Sequence, residues 1–134
     1  MNALALDVGD RYIGIAATDH ADPIAYRYAT IDRKKSNTMK ELAAAKSATS
    51  ADTILVGVPY HIEDGSETAQ TQKTYEFIQD LRSFFGDTVT VVEADETLTS
   101  REAKKTLQLE GADISQEHAE AARILLQEFI TQRT

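Results

Sequence analysis

The sequence contains no cysteine. This absence excludes a disulfide framework and a thiolate metal site, and it is compatible with the reducing cytoplasm in which we expect the protein to work. Long apolar runs are also lacking, so no segment is predicted to span a membrane. The first residues lead into a predicted strand without the layout of a signal peptide, and we therefore expect a cytoplasmic protein that makes no membrane contact.

Positive charge is scarce. The chain has 14 Lys and Arg against 22 Asp and Glu, which gives a net charge of -8. This balance opposes extensive non-specific binding of nucleic acid, because phosphate groups are bound by clustered Lys and Arg. It still permits a local basic patch beside an acidic metal centre. A chain of 134 residues with 42% hydrophobic content is expected to form one globular domain over residues 1–134.

The first eighteen residues predict a β-hairpin that carries a carboxylate. Residues 3–6 are apolar and predict a buried strand, with Asp7 following at its carboxyl end. Gly9 predicts a tight reversal with positive φ, and residues 13–18 predict the returning strand. A carboxylate in this position can bind a metal, orient a water for attack on phosphate, or cap a turn, and the spacing alone leaves these readings open.

The remaining pattern predicts helices and strands that alternate along the chain. A third strand over residues 25–31 would complete an antiparallel meander, and a buried strand over 53–58 reads as a central strand. The other predicted elements are a helix capped at Ser36 or Asn37, a helix from about 66–68 to 85, a strand over 89–92, a helix from the capping box of Thr99 and Glu102 to about 109, and a final helix capped at Asp113 or Ser115. This order predicts a mixed sheet flanked by helices, in which an active site would lie at the carboxyl ends of strands.

Four short segments stand in this framework in a specific order. They are Asp7-Val8-Gly9-x-x-x-Ile13-Gly14, Val56-Gly57-Val58-Pro59 with Asp64-Gly65-Ser66, Asp95-Glu96-Thr97-Leu98-Thr99-Ser100, and Ala121-Ala122-x-Ile124-Leu125-Leu126-Gln127. Together they resemble the YqgF/RuvX family, which is described as Holliday-junction resolvases or pre-16S rRNA nucleases of the RNase H superfamily. The resemblance implies an α/β, RNase H-like fold with a mixed five-stranded sheet, three leading antiparallel strands and flanking α-helices.

The same resemblance implies a metal-dependent nuclease. Asp7 matches the family's first-strand aspartate and Glu96 matches the glutamate of its second acidic block, so both are candidate catalytic residues and ligands of Mg²⁺ or Mn²⁺. His118 stands where the family usually places a third aspartate, and it is a candidate general base or phosphate contact. A shifted first turn of the last helix would instead bring Glu117 or Glu120 to the metal.

Four residues near the acidic segments are candidate nucleic-acid contacts. They are Arg11, Tyr12, Thr99 and Arg101. Tyr12 stands where the family tends to have a basic residue, and Thr97 stands where its acidic block usually continues with arginine. These departures, together with His118 and the acidic total, leave three outcomes open: weak binding of nucleic acid, dependence on a partner, or loss of the reaction.

Three functions stay open at this point. The first is a nuclease acting on structured RNA or branched DNA, either as a homodimer, as a resolvase would, or as a monomer that trims RNA of a ribosome precursor. The second is a non-catalytic binding module in ribosome maturation or DNA transactions. The third is a phosphate-binding ATPase of the actin and sugar-kinase type, whose first phosphate loop also resembles residues 7–9 but which needs a second domain.

Overall fold

A computed structural model describes residues 2–18, 23–96, 110–111 and 116–133 of the chain. The strands are β1 (Ala3–Val8), β2 (Tyr12–Thr18), β3 (Ala25–Asp32), β4 (Thr53–Val58) and β5 (Thr90–Asp95). The helices are α1 (Thr38–Thr49), α2 (Ala69–Phe85) and α3 (Glu117–Arg133). A short 3-10 turn (Gly86–Thr88) follows α2 directly. The helix predicted to begin at Thr99 and the caps predicted at Asp113 or Ser115 lie outside the described residues.

The five strands form one sheet in the order β3-β2-β1-β4-β5. β2 pairs antiparallel with β1 and β3, whereas β4 pairs parallel with β1 and β5. The prediction of a mixed five-stranded sheet with three leading antiparallel strands is therefore confirmed. Because β1, β4 and β5 run in the same direction, their carboxyl ends lie along one rim of the sheet.

The two faces of the sheet differ in the size of their side chains. One face carries large aliphatic residues that pack with Leu42 of α1 and with Phe77, Ile78 and Leu81 of α2. The other face carries alanines that pack against Leu125, Leu126 and Ile130 of α3, namely Ala3, Ala5, Ala16 and Ala25. Small side chains allow α3 to lie close to the sheet, and this close approach determines the geometry of the candidate site.

Local capping explains where the helices begin and end. The Asn37 side chain accepts a hydrogen bond from Lys40 N, so Asn37 rather than Ser36 caps α1. Thr68 and Thr71 form a reciprocal capping box at the start of α2. Gly86 ends α2 with a positive φ of 57°, as its position predicted. No helix among the described residues is long and apolar enough to cross a membrane.

Three expectations about the sheet are wrong. β1 continues to Val8, so Asp7 lies within the strand opposite Gly14 rather than after its end. β5 continues to Asp95 rather than ending at residue 92, because its pairing with β4 extends that far. Gly9 does not have positive φ; the turn closes through a hydrogen bond of 2.9 Å from Gly9 N to Tyr12 O.

Candidate active site

Two carboxyl groups from distant parts of the chain meet at the rim. Asp7 lies on the same face of β1 as Ala3 and Ala5, toward α3, and is 5% exposed. Glu96 directly follows β5 and is 4% exposed. Its backbone N donates to Val58 O at 3.1 Å, which holds it beside the end of β4. The carboxyl groups of Asp7 and Glu96 are hydrogen-bonded to each other.

Glu96 is placed where a negative charge is unfavourable. Burial raises the pKa of its carboxyl group well above the ordinary value, and the neighbouring charge of Asp7, their hydrogen bond and the charge of Asp95 raise it further. The surroundings of Glu96 therefore favour the protonated form of its carboxyl group over the charged form. Two acids held this close in a buried position form a site that favours an added positive charge.

The imidazole of His118 contacts Asp7 directly. His118 lies in the first turn of α3, and its Nδ1 is 2.7 Å from Oδ2 of Asp7. The hydrogen bond to Asp7 raises the pKa of His118 and, with the negative charges of Asp7 and Glu117, outweighs the opposing effect of burial. The side chain is 35% exposed, so the ring lies between Asp7 and solvent.

Three glycines make this convergence sterically feasible, and sequence reasoning assigned none of them to it. A Cβ on Gly14 would lie 2.0 Å from the carbonyl carbon of His118, so the glycine lets the first turn of α3 rest on β2. A Cβ on Gly57 would lie 2.4 Å from Oε2 of Glu96, and one on Gly9 would lie 2.8 Å from Cε1 of His118. A glycine inside a strand is the available signal, because it often marks close approach of another group.

The two other predicted metal ligands are placed differently. Glu120 is 1% exposed, and its carboxylate accepts two hydrogen bonds from Arg123, at 2.7 and 2.6 Å. Arg27 Nε lies 3.7 Å from the same carboxylate. The structure therefore places Glu120 in an arginine cluster rather than with Asp7. Glu117 is half-buried and lies near enough to His118 to raise its pKa.

The predicted nucleic-acid contacts Arg11 and Tyr12 lie at the surface beside the rim. Arg11 forms an ion pair with Asp32 at 3.2 Å, and its guanidinium lies 5.1 Å from the centre of the Tyr12 ring. Their side chains are exposed, so both can reach a ligand at the carboxyl end of β1. Thr99 and Arg101 lie outside the described residues.

The donor set at the rim fits a divalent cation that keeps most of its own waters. Among the described ranges, no group of three or more His, Cys, Asp or Glu side chains has the arrangement of a metal site. Asp7 and Glu96 nevertheless supply two carboxylates, which is the share of ligands that Mg²⁺ often takes from a protein. A bound cation would also relieve the close approach of the two acids, which raises the pKa of Glu96.

The sheet order and the acidic rim define the class of protein, an RNase H-like α/β domain with an acidic centre at the carboxyl ends of its strands. Two solved structures show the same fold. The fowlpox virus resolvase in complex with Holliday junction DNA aligns over 99% of both chains, with a TM-score of 0.60 and 12% identity. The RuvC protein of T. thermophilus in complex with a Holliday junction substrate aligns over 99% of this chain and 95% of that chain, with a TM-score of 0.61 and 13% identity.

The chain belongs to the RuvX family, since the sequence model of that family, described as Holliday junction resolvase, matches residues 1–132. A relative from Fusobacterium nucleatum, named "Putative pre-16S rRNA nuclease", is 32% identical over 95% of this chain and 94% of its own. A relative from Caldanaerobacter subterraneus with the same name is 34% identical over 97% of this chain and 96% of its own. The family resemblance of the four sequence segments is therefore confirmed.

Proposed function

We propose that this chain is a nuclease that hydrolyses phosphodiester bonds in structured nucleic acid. One observation carries the proposal: the carboxyl groups of Asp7 and Glu96, both nearly fully buried, are hydrogen-bonded at the rim where parallel strands end. Burying two acids against each other costs stability, and such arrangements concentrate at functional sites. The family match and the names of the relatives support hydrolysis of nucleic acid as that function.

Asp7 and Glu96 would hold Mg²⁺ or Mn²⁺. When bound, such a cation supplies activation of a water and stabilisation of the leaving oxygen. Glu96 would act as a ligand in its deprotonated form, and the 2.7 Å contact with His118 Nδ1 orients the carboxylate of Asp7. Nδ1 of His118 faces Asp7 and the side chain is 35% exposed, so Nε2 of the protonated ring would be the atom that donates to a phosphate oxygen of the substrate.

The relatives and the solved structures indicate which substrates to test. A precursor of 16S rRNA is the first, because relatives that are 32% and 34% identical carry that name, and it would place the protein in the cytoplasm with a ribosome precursor as its partner. A four-way DNA junction is the second, because both resolvase structures contain one. Symmetric cleavage of a junction would need a homodimer, whereas trimming of RNA would not.

The test is cleavage of an end-labelled 16S precursor fragment and a four-way DNA junction, with Mg²⁺ or Mn²⁺. We expect Asp7→Asn and Glu96→Gln each to reduce cleavage by at least about a hundredfold, because each removes one of two charged ligands. The matched control is Asp87→Asn, an exposed residue between α2 and β5, which is expected to cleave normally. Unchanged cleavage by Asp7→Asn would rule out the assignment.

A second candidate is a non-catalytic module that binds nucleic acid. The observation in its favour is the 2.7 Å contact between His118 and Asp7, which places an imidazole where a further oxygen ligand would be useful. Calorimetric titration with Mn²⁺ separates the two candidates. Heat of binding that disappears in Asp7→Asn supports the nuclease, whereas nucleic-acid binding without any metal binding at millimolar Mn²⁺ supports the module.

A further inference from the structure

A groove of about 390 Å³ lies on the opposite side of the β1–β2 turn from the candidate active site. Its walls are α2 and the loops that follow β1 and β3. The groove reaches Val8, the residue next to Asp7, and Val8 faces the α1 and α2 side of the sheet whereas Asp7 faces α3. A polymer lying across the carboxyl end of β1 can therefore contact both the active site and this groove.

The basic side chains of the groove come from two elements. Arg33 and Lys34 belong to the run Arg33-Lys34-Lys35 after β3, and Lys73 projects from α2. Arg33 is held in place, because its Nη1 donates to Gly9 O at 2.8 Å and its guanidinium lies 5.5 Å from the centre of the Phe77 ring. This bond uses one of five N–H donors, so the guanidinium is preorganised and can donate to a ligand as well.

The two lysines of the groove are accessible to an incoming phosphate. Lys34 forms no ion pair with any of the described residues. Lys73 Nζ lies 3.3 Å from Asp10 Oδ1, and the two side chains are 59% and 72% exposed. An ion pair that is this exposed contributes little to stability, so Lys73 can exchange Asp10 for a phosphate at low cost.

The charge of the groove changes sign along α2. Its beginning lies next to the active site, because Gln70 Nε2 donates to Val8 O at 3.0 Å. The acidic residues Glu76 and Asp80 line the groove farther along the helix, and Asp80 is about 15 Å from Gln70 at the helical rise per residue. A nucleic-acid backbone is therefore attracted to the near end and repelled from the far end.

We propose that the near end of this groove, formed by Arg33, Lys34 and Lys73, binds a backbone phosphate of the nucleic-acid strand whose scissile bond lies at Asp7. The proposal rests on the proposed nuclease function and adds a second contact to it. It also explains how a chain with a net charge of -8 can hold a polyanion. Three of the 14 Lys and Arg residues lie together in this groove beside the acidic centre.

The experiment measures binding without cleavage. Asp7→Asn serves as the parent, and its affinity for a fluorescent four-way junction and a 16S precursor fragment is measured by anisotropy in EDTA at several salt concentrations. Lys34→Gln and Lys73→Gln are added separately to the parent. Each is expected to weaken binding by on the order of three- to tenfold and to reduce the slope of log affinity against log salt by about one.

The matched control is Lys46→Gln, which removes the same charge in the last turn of α1, away from the groove. It is expected to leave the slope unchanged. If Lys34→Gln and Lys73→Gln give the same slope as Lys46→Gln, the groove is not a phosphate site, even though the nuclease proposal stands. If the parent binds neither nucleic acid, the proposed function fails together with this inference.

Discussion

Two buried glutamates lie near the first turns of α3, and they have opposite surroundings. Glu120 is 1% exposed and is matched by the guanidinium groups of Arg123 and Arg27. Glu96 is 4% exposed and faces Asp7, another acid. Sequence reasoning treated both glutamates as candidate metal ligands, yet the structure gives one a compensating charge and the other a competing charge.

These surroundings indicate that Glu120 stabilises the fold, whereas Glu96 belongs to a functional site. Glu120 fastens α3 to Arg27 of β3, and its charge is neutralised whether or not a ligand is present. Glu96 instead faces a second acid, and its burial beside Asp7 raises the pKa of its carboxyl group. A protein tolerates such an unfavourable group where function requires it, and local conflicts of this kind indicate functional sites.

The largest effect is expected when Glu120 is changed to Gln. This variant should lose about 3 kcal/mol of unfolding free energy, because removing one partner leaves two partly buried guanidinium groups without their carboxylate. Urea denaturation at pH 7 measures the loss. The control Glu128→Gln, on an exposed position of the same helix, should change stability by less than about 0.5 kcal/mol. If Glu120→Gln and Glu128→Gln were equally stable, Glu120 would have no special role in stabilising the fold.

The second effect concerns the glycine beneath Glu96. Gly57→Ala should cost about 2 kcal/mol and displace the Glu96 side chain, because the new Cβ would lie 2.4 Å from Oε2 and 2.6 Å from Cδ. The cost should shrink in a Glu96→Ala background, where both of those atoms are gone. A double-mutant cycle by urea denaturation tests this coupling. Additive effects would show that Glu96 does not occupy the space above Gly57.

The framework of the fold follows from local sequence patterns, but the charge environment of each acid does not. The apolar run at residues 53–58 predicted β4 with the bounds that the structure has. Which partner meets Glu120 depends on Arg27 of β3, far away in the sequence, and no local spacing reports that contact. The missed roles of Gly14 and Gly57 have the same origin, because a close approach between elements becomes apparent only after they are packed.

Glu96→Gln is expected to raise the stability of the fold at high pH, by less than Glu120→Gln and Gly57→Ala lower it. Since the folded-state pKa of Glu96 is raised, its contribution to stability is fully present below about pH 4.5 and is lost as pH rises through the raised value. The Gln variant cannot ionise, so it should match the wild type at pH 4 and exceed it by about 1 kcal/mol or more at pH 8. Thermal unfolding at the two pH values measures the difference.

The response to divalent cations also distinguishes Glu96 from Glu120. Millimolar Mg²⁺ or Mn²⁺ should raise the melting temperature of the wild type at pH 8, because a ligand of the folded state stabilises it, and should have little effect on Glu96→Gln. Glu120→Gln should retain the response to cations, although it is the less stable variant. A variant of Glu96 that still responds to Mg²⁺ like the wild type would contradict a role for Glu96 in binding the cation.

The smallest effect is expected at His118. Its folded-state pKa is raised chiefly by Asp7, so its ion pair stabilises the fold fully below about pH 6.5, and that contribution is lost as pH rises through the raised value. His118→Gln should therefore be less stable than the wild type at pH 5.5, by less than about 1 kcal/mol because the ring is partly exposed, and the difference should close by pH 9. A difference that does not change with pH would show that the ring acts by packing. If the stability difference instead disappears at high pH, the positive charge of His118 stabilises the carboxylate of Asp7, as Arg123 stabilises that of Glu120. The two cases then differ in one respect, because His118 loses its charge as pH rises and Arg123 does not.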